Sequence, residues 1–235
     1  MRYAIYYAPP EPDQLNRAAT AWLGRCAFTG SASVQPSTAQ IPSSELAQKT
    51  SSARRYGFHA TVVAPFTLAE NETEESLVAA LDGYAATADP MVVPRLVLKS
   101  LGGFFALMPR VQGDDLSAFA NDAVRHFDRF RAPLSESEMA RRGGDHLTAS
   151  QRANLVRWGY PHVFDDFRFH MTLTDRIEEH DAARFQAAIE EHFDDLLDGA
   201  VTVGSLALFA EPEPGAPFVI RSFHTFVPQL ARKTA

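Results

Sequence analysis

Apolar and polar residues alternate over residues 2–8, and Pro9, Pro10 and Pro12 then stop the alternation. A period of two predicts a β-strand at the start of the chain. Over residues 14–28 the apolar positions are instead Leu15, Ala18, Ala19, Trp22, Leu23 and Cys26, the spacing of a helix. Residues 30–52 are rich in Ser, Thr, Gln and Pro with few apolar anchors. They predict an exposed loop, either the lid or wall of a substrate cleft or a plain mobile connection.

From residue 58 the pattern runs twice. In the first copy an apolar strand over 62–68 leads to an acidic helix start at 71–75 and to helical positions Leu77, Ala80, Leu81 and Tyr84. A strand over 91–99, a Gly102-Gly103 turn and a strand over 104–108 follow. In the second copy an acidic stretch over 175–181 precedes helical positions Ala182, Phe185, Ala188, Ile189 and Phe193. A strand over 200–209, a Pro/Gly turn over 211–217 and a strand over 218–226 close it. Between the copies Leu116, Phe119, Ala120, Ala123, Val124 and Phe127 predict an amphipathic helix over 114–130, with His126 beside the stripe and at the surface. Short helices at 136–142 and 148–158 come next, the latter ended by Gly159-Tyr160-Pro161. Two strand–helix–hairpin units predict an α+β fold with two pseudo-symmetric lobes. Each lobe is a mainly antiparallel sheet with helices on its outer face, and the active cleft lies between them. The chain reads as one bilobal domain over 1–235: lobe 1 centred on 53–110, a largely helical connection over 111–160, and lobe 2 centred on 161–229.

With 235 residues, 46% of them apolar and 17 phenylalanines, the chain can bury one substantial core or two adjoining small ones. No apolar run reaches the length of a membrane span, and the start lacks a signal-peptide core, so a cytoplasmic location is expected. A single cysteine, Cys26, excludes an intrachain disulfide and a cysteine-based zinc site. The net charge of −7 argues against a long nucleic acid as partner.

Each copy begins on the same short phrase: Phe58-His59-Ala60-Thr61-Val62 and Phe169-His170-Met171-Thr172-Leu173, with the histidines 111 residues apart. On a strand, His and Thr two apart share one face while their apolar neighbours enter the core. A third match, His146-Leu147-Thr148, follows Arg141-Arg142-Gly143-Gly144-Asp145 and is read as a loop, with Thr148 and Gln151 forming a capping box. A lone histidine in an apolar run is more often a core residue satisfied by a backbone partner. The matched pair within a duplicated unit favours chemistry instead. Two strands facing each other across the cleft would bring two imidazoles and two hydroxyls to one small anion. His59 and His170 are therefore the catalytic candidates, one neutral as base and one protonated as acid. Thr61 and Thr172 would donate to non-bridging phosphate oxygens.

Period two also places Arg168 with His170 and Arg55 with His59, so both are candidate phosphate ligands. Arg54 and Arg55 read equally as surface charges. No Walker loop, dinucleotide-binding glycine pattern or His-Glu-x-x-His helix occurs. His59 and His170 with Asp165 or Asp166 could be drawn as a metal site. Neither motif carries an acidic residue at same-face spacing, so no metal and no cofactor is expected. A non-catalytic protein binding a phosphorylated metabolite, or one processing or ligating RNA ends, would use the same hydroxyls and cations.

These motifs resemble the two-histidine (2H) phosphoesterase superfamily, whose signature is a pair of His-φ-Thr/Ser-φ segments, φ being apolar. The longer strings, residues 54–66, 157–161 and 167–173, resemble a branch encoded with phosphonate-utilisation operons. The resemblance implies two pseudo-symmetric α+β lobes and metal-independent cleavage of a small cyclic phosphate or phosphodiester. It further implies a role in phosphonate breakdown, with His59 and His170 as the acid–base pair.

Overall fold

The computed structural model describes residues 1–197 and 199–228; residue 229, where the expected second lobe ends, lies outside them. In chain order the first half carries β1 (Arg2–Tyr7), α1 (Gln14–Leu23), α2 (Ser43–Lys49), α3 (Ser51–Tyr56), β2 (Ala60–Phe66) and α4 (Glu74–Thr87). The strands β3 (Met91–Val93), β4 (Leu96–Leu101) and β5 (Phe104–Pro109) follow. The middle is helical: α5 (Asp114–Phe127), α6 (Glu136–Arg142) and α7 (Ala149–Trp158). The second half has β6 (Met171–Thr172), α8 (Glu179–Phe193), β7 (Val201–Val203), β8 (Ser205–Glu211) and β9 (Val219–Thr225).

Most elements form where the pattern placed them, for local reasons. Helix α7 opens on the expected capping box between Thr148 and Gln151 and closes on Gly159 in a left-handed conformation. Helix α1 stops at Leu23, five residues short of the apolar spacing, because Gly24 adopts φ 78° and caps it. The strand expected over 91–99 is two strands, β3 and β4, separated at Pro94, which has no N–H to give to a ladder. Its counterpart over 200–209 divides in the same way at Gly204. Residues 30–42 are an irregular, partly exposed segment as expected, but 43–52 are mostly helical, and Ser52 at their end lines the cavity of the candidate site. The stretch as a whole contains α2, buries Ile41 and Leu46, and is tied to α8 by Arg184 on Glu45 at 2.6 Å.

The large sheet has seven strands in the order β4-β5-β6-β2-β1-β8-β9, and every pairing is antiparallel. A two-stranded ribbon, β3-β7, stands apart from it. The repeats therefore do not segregate into the halves 53–110 and 161–229. The first repeat's hairpin β4-β5 bonds to the second repeat's motif strand β6. The second repeat's hairpin β8-β9 lies beyond β1, on the side of the first motif strand β2. Equivalent strands meet each other: β2 pairs with β6 and β3 with β7. Alternation assigns a residue to a face of a sheet but says nothing about which strand lies beside it, so this exchange was not legible locally.

One face of the large sheet carries the main core. Ile5, Tyr7, Val62, Leu107, Met171, Leu173 and Leu208 pack there with Leu77 and Leu81 of α4, Ala123 and Phe127 of α5, and Phe185 and Ile189 of α8. The opposite face holds a smaller cluster of Ala4, Tyr6, Ala8, Ala27, Ala207, Phe209 and Phe218. Odd residues of β1 point to the first face and even residues to the second. The site grows on the second face.

Candidate active site

The two motif strands are neighbours in one sheet, not walls facing each other across a cleft. Ala60 pairs with Met171 in antiparallel register. One residue further along that register, His59 lies beside Thr172 and Thr61 beside His170. The four side chains thus form a square on one face, related by the pseudo-two-fold that relates the repeats. The histidines occupy its diagonal, with Cβ atoms about 7–8 Å apart by standard sheet geometry. That span accommodates a tetrahedral phosphoryl group between the two rings. A cavity of about 440 Å³ stands above the square, with His59, Thr61, His170 and Thr172 all in its lining.

Helix α3 and the turn after it aim His59. Gly57 adopts φ 79°, and a Cβ there would lie 2.7 Å from that of Ala27, so only glycine fits. Its carbonyl accepts a hydrogen bond from His59 Nδ1 at 2.8 Å. In the second motif His170 Nδ1 donates to the Arg168 carbonyl at 2.7 Å. A backbone carbonyl two residues upstream thus fixes each ring as the Nδ1–H tautomer when neutral. Both Nε2 atoms are left for chemistry; that of His59 is 3.2 Å from Thr61 Oγ1.

The surroundings separate the two rings electrostatically. The Tyr6 ring, opposite Thr61 on β1, stacks on His59 with centroids 3.8 Å apart and planes at 19°. Burial pushes the pKa of His59 down to about 4; the Gly57 hydrogen bond opposes the shift, and the charge of His170 adds to it. Burial also lowers His170, against the hydrogen bond to Arg168 O. Burial holds the Tyr6 hydroxyl protonated well above its ordinary range.

The cations lie differently from the expectation. Arg55 does not line the cavity. Its Nη2 bonds Glu211 at 2.6 Å, and its Nε donates to the Ala216 carbonyl at 3.4 Å. Arg54 is likewise internal, donating to Leu23 O at 2.7 Å and to Thr50 Oγ1 at 3.0 Å. Arg168 lines an adjoining chamber rather than the one above the square. The cation that does line the histidine cavity is Arg176, an exposed residue with no ion pair or hydrogen bond among the described residues. Sequence reasoning missed it: the same-face run 170, 172, 174, 176 would include it, but strand β6 ends at Thr172, so nothing local showed that the chain stays beside the cavity.

Asp175 is in the lining too, with its carboxylate occupied. It accepts from Ser51 Oγ at 2.7 Å, Ser52 N at 3.0 Å and Ala53 N at 3.1 Å, capping α3 from the other repeat. This clamp joins the helix that aims His59 to the segment after His170. Asp175→Ala should cost about 1 kcal/mol, seen as a fall of about 2–4 °C in thermal midpoint. Asp175→Asn, an equally good cap, should restore most of it. Asp166, a conceivable metal ligand by sequence, bonds Ser150, Gln151 and Asn154 instead. Among the described residues no group of three or more His, Cys, Asp or Glu is placed to hold a metal ion. None of their helices is long and apolar enough to cross a membrane.

Fold and site together define an α+β protein that presents a pair of histidine–threonine motifs on one face of an antiparallel sheet. The chain belongs to the family described as protein of unknown function DUF1045, which matches residues 61–219. Two relatives are each named ribose 1,5-bisphosphate phosphokinase PhnN. The protein from Janthinobacterium sp. (strain Marseille) is 37% identical over 222 residues, and that from Laribacter hongkongensis (strain HLHK9) is 38% identical over 221. Each alignment takes in 93% of this chain but 49% and 50% of the relatives, so the chain spans about half their length. Among solved structures, TT0787 of Thermus thermophilus aligns over 97% of this chain and 100% of its own, at 14% identity and a TM-score of 0.47. A structure described as a phosphoesterase aligns over 96% and 98%, at 11% identity and a TM-score of 0.44.

Proposed function

We propose that the protein is a metal-independent phosphoesterase that opens a small cyclic phosphate or phosphodiester by two-histidine acid–base catalysis. One observation carries the reading: two imidazoles on one sheet face, each held through Nδ1, so that Nε2 of each ring is turned to the cavity side, that of His59 accepting from Thr61 Oγ1. His59, with the strongly lowered pKa, is the neutral partner and takes a proton from water. The water oxygen bonds to phosphorus as the opposite P–O ester bond breaks, and protonated His170 gives its proton to the departing oxygen. Thr61 and Thr172 donate to the non-bridging oxygens, and Arg176 balances their charge.

The relatives' name supplies the substrate class to test first. Ribose 1,5-bisphosphate is what water produces from a 1,2-cyclic phosphate on ribose 5-phosphate, by cleaving the bond from phosphorus to O2. The relatives' phosphokinase activity belongs to proteins twice as long. This sequence has no Walker loop to cradle a nucleotide's phosphates, so we assign ester cleavage and not nucleotide-driven transfer to this half. The same reading places the protein in phosphonate metabolism.

The test is phosphorus NMR of that cyclic ester, and of a nucleoside 2′,3′-cyclic phosphate, incubated with the protein in excess EDTA. Conversion to a monoester at an undiminished rate is expected. Activity abolished by EDTA and restored by a divalent cation would move the protein to the metallohydrolases. Tight binding without conversion over hours would make it a binding protein. Arg176→Ala should lower kcat/KM by about 10- to 100-fold, as expected for a charged hydrogen bond of about 1.5–3 kcal/mol.

A further inference from the structure

A second chamber of about 380 Å³ adjoins the one above the histidine square, and the two share Thr61, Phe104, Tyr160 and His170 as a common wall. Its remaining apolar wall is Leu101 and Phe167; its polar residues are His162, Asp166 and Arg168. The Asp166 carboxylate is turned to Ser150, Gln151 and Asn154, which leaves Arg168 as the full charge available to a ligand. The guanidinium of Arg168 is anchored and incomplete. Nη1 donates to the carbonyls of Asp165 at 2.9 Å and Phe167 at 2.7 Å, while Nε and Nη2 have no partner among the described residues. A cation braced on one side with a free two-donor edge on the other is arranged for a carboxylate or phosphate.

Arg168 precedes His170 by two residues, ahead of strand β6, so their backbones lie at most about 7 Å apart, and Arg168 lines the second chamber but not the first. One sugar ring bridges that distance. An anion on Arg168 would therefore be a different group from the one held between the histidines.

We infer that the second chamber is a subsite for a second, non-reacting anionic group of the substrate, held by Arg168 one sugar ring away from the reacting phosphorus, with Phe104 and Tyr160 flanking the ring between. The inference rests on the phosphoesterase reading of the histidine cavity. It makes the substrate a small bis-anion, a sugar cyclic phosphate carrying a second phosphate or a carboxylate, and makes Arg168 a specificity residue.

The test compares adenosine 2′,3′-cyclic phosphate with its 5′-phosphorylated counterpart. Wild-type protein should prefer the bis-anion at least tenfold in kcat/KM, and Arg168→Ala should shrink that preference to within about threefold. Equal turnover of the two compounds by wild type would overturn the subsite. So would an equal loss on both in Arg168→Ala, which would return that residue to the reacting phosphate. If neither compound is hydrolysed, and the 1,2-cyclic ester of ribose 5-phosphate is not either, the phosphoesterase reading fails on its own. Calorimetric titration of both compounds into wild type and Arg168→Ala then decides the subsite: tighter binding of the bis-anion, lost in the variant, supports it, and equal affinities overturn it.

Discussion

Replacing either motif histidine, His59→Ala or His170→Ala, should lower turnover of a cyclic phosphate by about 10²- to 10⁴-fold, the range typical of removing a positioned general acid or base. The fold should survive both changes. Each ring lies on the sheet face opposite the main core, and its removal exposes one backbone carbonyl, of Gly57 or Arg168, to the cavity. A far-ultraviolet dichroism spectrum and melting profile close to wild type should accompany the lost activity. The pH dependence separates the roles. In the proposed mechanism His59 is the base and acts only when neutral, so kcat/KM should rise with pH through the pKa near 4. As the proposed acid, His170 acts only when protonated, so kcat/KM should fall as pH passes its own pKa, which burial keeps below the ordinary 6.5. The profile is a bell on the acid side of neutrality. His59→Ala should flatten its acid limb and His170→Ala its alkaline limb. Full activity in either variant would end the two-histidine mechanism.

Replacing Glu211 should produce the largest loss of stability away from the core. Glu211 is fully buried on the site face of β8, opposite Arg2 on β1, with its carboxylate between Arg2 and Arg55 and accepting the Gly215 amide at 3.0 Å. Burial opposes its ionisation, but hydrogen bonds from Arg2, Arg55 and the Gly215 amide outweigh that and hold its pKa below the ordinary range. Removing one partner of a buried pair costs about 3–5 kcal/mol, because the remaining charge stays unpaired. Both guanidinium groups keep some solvent contact, so the lower end applies to Glu211→Ala. The thermal midpoint should fall by about 10 °C. A carboxyl whose pKa is depressed on folding contributes above its unfolded value. The wild-type advantage should therefore hold at neutral pH and fade as pH falls below about 4. Arg55→Ala discriminates further: it should reduce stability in the same direction, since Arg55 ties α3 to the sheet. A raised KM with unchanged stability would make Arg55 a substrate ligand after all.

How much could be read locally depends on the kind of statement. The helices, the capping box at Thr148, the duplicated unit and the shared face of His59 with Thr61 and of His170 with Thr172 all follow from short-range geometry. Apolar spacing and alternation are properties of a few consecutive residues. Arg55 illustrates the opposite case. Period-two reasoning grouped it with His59, but residues 51–56 are helical, so the alternation does not apply and the side chain turns to Glu211, 156 residues away. Tyr6 sits in a strand that was legible, yet its stack on His59 depends on β1 lying beside β2. Arg176 reaches the cavity from beyond the end of its strand.

The sequence alone determined the residues on which the proposal rests: two histidines and two threonines, each pair on one face of its strand, in two copies of one unit. Only the tertiary structure decided that the two strands lie side by side in one sheet and that the repeats exchange their hairpins. It also put Arg176 over the square and set Arg168 one chamber away. The physical reason is that backbone geometry assigns a side chain to a face locally, whereas burial and hydrogen bonding between distant segments choose its neighbours.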